Sequence, residues 1–195
     1  MDAITLLKRD HKTIESLFKQ FEKAGPRADK IRRDIADKIV AELTVHAAIE
    51  EMVFYPAVRE AVPATDDEVL ESLEEHHVAK WLASEIDGMA PDHERFRAKM
   101  TVLIENVRHH KQEEEEELFP QVREALTRKQ LAELGEALEA AKAVAPTRPH
   151  PRAPDTPPGN VVAAAGAELL DRARKAVKET SATARRKLAE RSAKR

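Results

Sequence analysis

The chain has 195 residues, with 36 acidic and 33 basic side chains and a formal charge of -3, so its overall charge indicates no particular class of partner. It contains no cysteine, which excludes disulfides, iron–sulfur clusters and thiolate metal ligands and leaves only nitrogen and oxygen to hold a metal. No apolar stretch approaches the roughly 20 residues that span a bilayer, and the charged N-terminus is unlike a signal peptide, so we expect a soluble, cytoplasmic protein.

Five segments carry apolar residues at every third or fourth position, which is typical of helices with one buried face. Ile31 begins the buried stripe of the second segment, and we expect Pro56 to bend this helix and Pro120 to end the fourth. Thr65 and Thr127 each begin a capping-box pattern. Short connections predict an all-α fold, an up-down-up-down four-helix bundle with a short fifth helix. The predicted helices cover about residues 2–24, 28–61, 65–87, 92–120 and 127–143.

The composition changes after the fifth helix. Residues 146–160 contain six prolines, which predicts a semi-rigid linker. Residues 161–195 carry ten Lys/Arg against four Asp/Glu, an excess of about six positive charges, and form a helical or disordered tail. Such a tail is usually a solvated appendage, and beyond that it supports only weak, non-specific contact with nucleic acid or an anionic membrane. We therefore divide the chain into a bundle (1–143), a linker (144–160) and a basic tail (161–195).

Polar residues interrupt the buried stripe of each long helix. In the second and fourth helices a His and a Glu lie four residues apart, hence on one face. A single His on an apolar face is usually a core residue with a protein hydrogen-bond partner. Four of them with two Glu in a repeated pattern favour a metal site instead. The inward-facing residues are His11, His46, Glu50, one of the pair His76 and His77, His110 and Glu114.

An internal repeat supports this interpretation. Residues 46–61 match residues 110–125 at eight of sixteen positions when shifted by 64. The same shift places His11 one residue from His76, so the bundle consists of two helix pairs that supply equivalent ligands. Two buried carboxylates need a cation, and four His with two Glu exceed what one tetrahedral zinc uses. We therefore expect a dinuclear centre bridged by Glu50 and Glu114, with iron as the leading candidate.

The chain resembles the haemerythrin-like HHE cation-binding family over about residues 1–125. The order and spacing of His11, His46-x-x-x-Glu50, Glu75-His76 and His110-x-x-x-Glu114 match the pattern of that family, and the resemblance implies His76 as the third-helix ligand. The resemblance implies two non-haem irons with an oxo or hydroxo bridge. Oxygen-carrying members have a further His one turn after the third-helix ligand, whereas this chain has Lys80 there. Six protein ligands then remain, and Glu51, Glu115 or His77 stay open as additional ones.

The expected function is a di-iron module that binds or senses O2, NO or peroxide. A peroxidase- or catalase-like enzyme, or an iron storage or delivery protein, is the alternative, and an inert scaffold with an active tail is a different class. Tyr55 and Trp81 are interpreted as packing residues, although Tyr55 is also placed to gate small molecules.

Overall fold

The computed structural model of the protein describes residues 1–25, 28–156 and 159. Within these residues every regular element is helical, which confirms the predicted all-α bundle with a short fifth helix. Two π-helical turns, π1 and π2, each join a long helix to a short one. The elements are α1 (Ala3–Lys23), α2 (Asp29–Ile49), π1 (Glu50–Phe54), α3 (Tyr55–Ala61), a 3-10 turn (Pro63–Thr65), α4 (Asp66–Ile86), α5 (Phe96–Glu113), π2 (Glu114–Leu118), α6 (Phe119–Ala125) and α7 (Arg128–Lys142).

The apolar core consists of two separate clusters with a polar layer between them. Going along α1, Leu7 belongs to the first cluster and Ile14 to the second, and His11 lies between them. Each of the other long helices likewise passes from one cluster to the other, and the direction alternates from helix to helix. This alternation establishes the up-down-up-down topology and places the histidines of all four helices at one level of the bundle.

The π turns carry the chain past two prolines. Proline lacks the N–H that an α-helix needs at that position. In π1 the N–H of Tyr55 bonds to the carbonyl of Glu50, and in π2 the N–H of Phe119 bonds to that of Glu114, so each turn holds one extra residue. The prediction that Pro120 ends the fourth helix is therefore wrong, because the helix continues to Ala125.

Several predicted details at the helix ends differ from the structure. The capping box at Thr127 is confirmed, but the Thr65 hydroxyl donates to the carbonyl of Val62, because residues 63–65 form a 3-10 turn. The fourth long helix begins at Phe96, later than expected. Ile31 and Trp81 are 58% and 48% exposed, so their predicted packing roles are wrong.

The first part of the proline-rich segment folds back against the bundle. Ala145 packs on the first core cluster, and Arg148 pairs with Asp87 at the end of α4 at 3.1 Å. The tail (161–195) lies outside the described residues, so the division into bundle, linker and tail stays a prediction. In the part of the chain that is described, no helix has the length and apolar character needed to cross a membrane.

Candidate metal centre

The structure brings the side chains of all six predicted ligands together in the polar layer, each at most 5% exposed. The Nε2 atoms of the four histidines form two close pairs, His11 with His46 at 3.1 Å and His76 with His110 at 3.0 Å. Glu50 lies between the pairs, with Oε2 3.3 Å from His46 and 3.4 Å from His76. Glu114 also lies between them, with Oε2 3.2 Å from His11 and 3.6 Å from His110. Each carboxylate therefore approaches one histidine of each pair.

The two carboxylates have fewer protein partners than buried charges require. Within the described residues neither oxygen of Glu50 makes a hydrogen bond, and neither does Oε2 of Glu114. Burial, and then the charge of Glu114, raises the pKa of Glu50 well above its ordinary value. Burial also disfavours ionised Glu114, but the imidazoles of His110 and His11 outweigh it and lower its pKa. Unsatisfied carboxylates beside imidazole nitrogens fit a bound cation.

Three carboxylates outside the predicted set fix the orientation of the imidazoles. The Nδ1 atom of His11 lies 2.8 Å from Glu115, that of His76 lies 3.0 Å from Glu51, and that of His110 lies 2.8 Å from Glu75. A carboxylate that accepts a hydrogen bond from Nδ1–H leaves Nε2 deprotonated and free to bind a metal. Glu51 and Glu115, which the sequence left open as ligands, therefore contact the outer nitrogen of a histidine. His77, the third open alternative, is exposed.

Two of the three orienting contacts cross between the two halves of the repeat, whereas the contact of Glu75 with His110 lies within the second half. Glu115 belongs to the second half and holds His11 of the first, whereas Glu51 belongs to the first half and holds His76 of the second. The arrangement is not fully symmetric, because Nδ1 of His46 has no hydrogen-bond partner among the described residues. The two histidine pairs thus differ in how firmly they are held.

Comparisons with known proteins identify the family of this chain. The family described as Hemerythrin HHE cation binding domain matches residues 2–122. The chain belongs to this family. Its helical bundle is also similar to the crystal structure of a Hemerythrin HHE cation binding domain-containing protein from Mycobacterium kansasii, with a TM-score of 0.62, 24% identity and coverage of 73% of this chain and 86% of the other.

Two curated proteins resemble this HHE domain protein in sequence. An uncharacterized hemerythrin-like protein of Schizosaccharomyces pombe is 26% identical over 167 residues, which cover 85% of this chain and 81% of the relative. A DNA nickase of Nostoc sp. is 28% identical over 142 residues, which cover 73% of this chain but only 39% of the nickase. The family membership and the clustered His and Glu side chains together support cation binding. The assignment of the six residues as its ligands stays a prediction.

Lys80 of this HHE domain protein forms an ion pair beside the centre. Its Nζ lies 2.9 Å from both carboxylate oxygens of Glu51. Burial raises the pKa of Glu51, but His76 and Lys80 outweigh it and hold this pKa below its ordinary value. Lys80 therefore stabilises Glu51, which in turn orients His76, one helical turn before Lys80.

Tyr55 contacts the centre, which sequence reasoning left as a secondary possibility. Its hydroxyl donates to Oε1 of Glu114 at 3.0 Å and lies 3.4 Å from Nε2 of His76. Burial, and then the charge of Glu114, raises the Tyr55 pKa well above its usual value, so the phenol keeps its proton. The repeat contained a signal for this residue, because the position equivalent to Tyr55 is Phe119, which lacks the hydroxyl and stacks on His11 at 5.9 Å.

Proposed function

We propose that the protein binds two non-haem irons through His11, His46, Glu50, His76, His110 and Glu114 and uses them to bind or sense O2, NO or peroxide. The observation that carries the proposal is the placement of two unsatisfied buried carboxylates between two pairs of Nε2 atoms. Each His pair would offer nitrogen to one ion. Glu50 belongs to the candidate ligand groups of both pairs, whereas Glu114 belongs to the group of His11 and His46 and lies 3.6 Å from His110, so both carboxylates would be available to the two ions.

The residues around the ligands set the chemistry that such a centre supports. Two bound irons would supply redox activity and positions for a small exogenous ligand. Glu51, Glu75 and Glu115 are placed to accept hydrogen bonds from Nδ1–H of three imidazoles, which favours the tautomer whose Nε2 binds a metal. Six protein ligands and a lysine in place of a seventh leave more room for an exogenous molecule, which favours reaction or sensing over reversible oxygen carriage.

A metal assay combined with an optical spectrum tests this function. We expect two irons per chain after aerobic reconstitution, with near-ultraviolet absorption from an oxygen bridge. A variant with His46→Ala and His110→Ala should lose iron. The matched control is the variant with His109→Ala and His150→Ala, since both side chains are exposed, and it should keep iron. Colourless wild-type protein that takes up no iron would contradict the proposal.

A peroxide-directed enzyme is the second candidate, and Tyr55 favours it. A protonated phenol bonded to Glu114 can deliver a proton to an exogenous molecule at the centre. Steady turnover of hydrogen peroxide by the iron-loaded protein would support an enzyme, whereas a single stoichiometric reaction would support a sensor. Both outcomes require the same iron centre.

The DNA nickase among the relatives raises a third candidate, in which the basic tail brings the centre to DNA. The tail has the charge for non-specific contact with phosphates. Nicking of supercoiled plasmid by iron-loaded protein, abolished by His46→Ala with His110→Ala, would support it. Intact plasmid at low salt would exclude it.

A further inference from the structure

A cavity of about 400 Å³ lies between the folded-back proline-rich segment and the bundle. Ala48 and Met52 line it on the bundle side, and Val144, Pro146 and Ala153 line it on the segment side. Its volume falls in the range of small-molecule sites, roughly 300–1,000 Å³. Because most of its wall is apolar, the cavity suits small uncharged molecules.

A second cavity of about 30 Å³ lies beside the centre and has His46, His76 and His110 among its lining residues. This volume is about that of one water molecule in the liquid. The two cavities share two lining residues, Thr44 and Lys80. On the other side of the centre, the cavity lined by His11 and Arg108 measures only about 10 Å³. The large cavity therefore adjoins the side of the centre that has more space.

Lys80 lines both cavities. Its side chain is bonded to Glu51 but is flexible. Its side chain is 13% exposed, and its ammonium group is bonded to Glu51. Lysine has a flexible four-carbon stem, so its head can leave one partner for water without movement of the backbone. Glu51 also bonds to Nδ1 of His76, so Lys80 is one of two groups that hold this carboxylate.

We infer that the 400 Å³ cavity is an antechamber through which small uncharged molecules such as O2, NO and hydrogen peroxide reach the centre, with the Lys80–Glu51 pair as the barrier. The inference rests on the proposed function for its purpose, but the antechamber itself is defined without metal. The segment that forms its outer wall is stiffened by prolines and tied to α4 through Arg148 and Asp87.

Dissolved O2 probes the antechamber in metal-free protein, because its paramagnetism relaxes nearby methyl groups. The methyl group of Met52 lines the cavity, whereas Met100 is fully buried in the other core cluster and serves as the internal reference. We expect O2 to enhance the relaxation of Met52 several-fold more than that of Met100. The Ala153→Trp variant, at an exposed position on the cavity wall, should remove the difference, and Ala98→Trp, at an exposed position on α5 outside the cavity lining, should retain it. Equal enhancement of Met52 and Met100 in the wild-type protein would overturn the inference.

Reaction rates test the route in the iron-loaded protein. We expect Ala153→Trp to slow NO association by about tenfold, equivalent to about 1.4 kcal/mol of barrier, with iron content and optical spectrum unchanged. Ala98→Trp should react at the wild-type rate. Equal rates in the two variants would overturn the route. If the wild-type protein binds no iron, the proposed function fails, and the methyl measurement still decides whether the antechamber exists.

Discussion

Replacing Glu50 with glutamine should stabilise the metal-free protein while removing iron. Glu50 is fully buried, and neither of its oxygens has a hydrogen bond within the described residues. An unsatisfied buried polar group costs about 1–3 kcal/mol, and more when charged. Glutamine keeps the shape, removes the charge and can donate an N–H to Glu114. We expect a gain of about 2 kcal/mol at neutral pH, which for a chain of this size raises Tm by about 4–8 °C.

The gain from Glu50→Gln should depend on pH. Because burial raises the pKa of Glu50 in the folded state, that state binds a proton more tightly than the unfolded chain does. The contribution of Glu50 to wild-type stability is therefore fully present at low pH and is lost as the pH rises through the raised pKa. The difference in stability between the Gln variant and wild type should widen from about pH 5 upward, since protonated Glu50 and Gln are both neutral.

Calorimetry of metal-free and iron-loaded protein measures both expected effects of Glu50→Gln, the gain in stability without metal and the loss of iron binding. The wild-type protein should gain stability from iron, since binding only to the folded state stabilises it, and the Gln variant should gain little. Glu60→Gln is the matched control, because Glu60 lies on α3 and is exposed. A metal-free Glu50→Gln variant that is less stable than wild type at pH 7 would refute the view that buried Glu50, without a hydrogen bond, destabilises the metal-free protein.

Three further substitutions address the surroundings of the centre. Glu75→Gln should weaken iron binding by roughly 10- to 100-fold in a chelator competition, because it loosens His110, and the exposed Glu74→Gln should not. Tyr55→Phe should keep both irons but consume peroxide more slowly, and an unchanged rate would exclude the phenol as a proton donor. Lys80→Met should speed NO association in stopped-flow measurements, and an equal or slower rate would argue against the barrier.

The six residues of the centre were visible in the sequence because each replaces an apolar residue in a regular helical stripe. A polar side chain at such a position faces the core wherever the helix packs by this stripe. His46 and Glu50 also lie four residues apart and so keep their common face up to the start of π1. The alternation of apolar clusters around the histidines follows from the same stripes, which is why the fold was predictable.

The residues that orient the histidines were less visible. Glu51, Glu75 and Glu115 each stand beside a stripe position, where a charged residue usually faces solvent. The π turns change the register of both helices beyond the glutamates, and spacing based on 3.6 residues per turn does not anticipate them. Only the two prolines indicated an irregularity, and their effect is a wider turn that lets the helix continue.

Glu51 and Glu115 each orient a histidine of the other half, so the two halves of the chain depend on each other. A single helix pair would possess the histidines but lack the carboxylate that holds one of them, since Glu115 reaches back to His11 and Glu51 reaches forward to His76. A half-length chain with the same residues would need a second copy of itself to complete a centre. Because one chain carries both halves, that dependence is intramolecular, and the centre is complete only when both halves have docked.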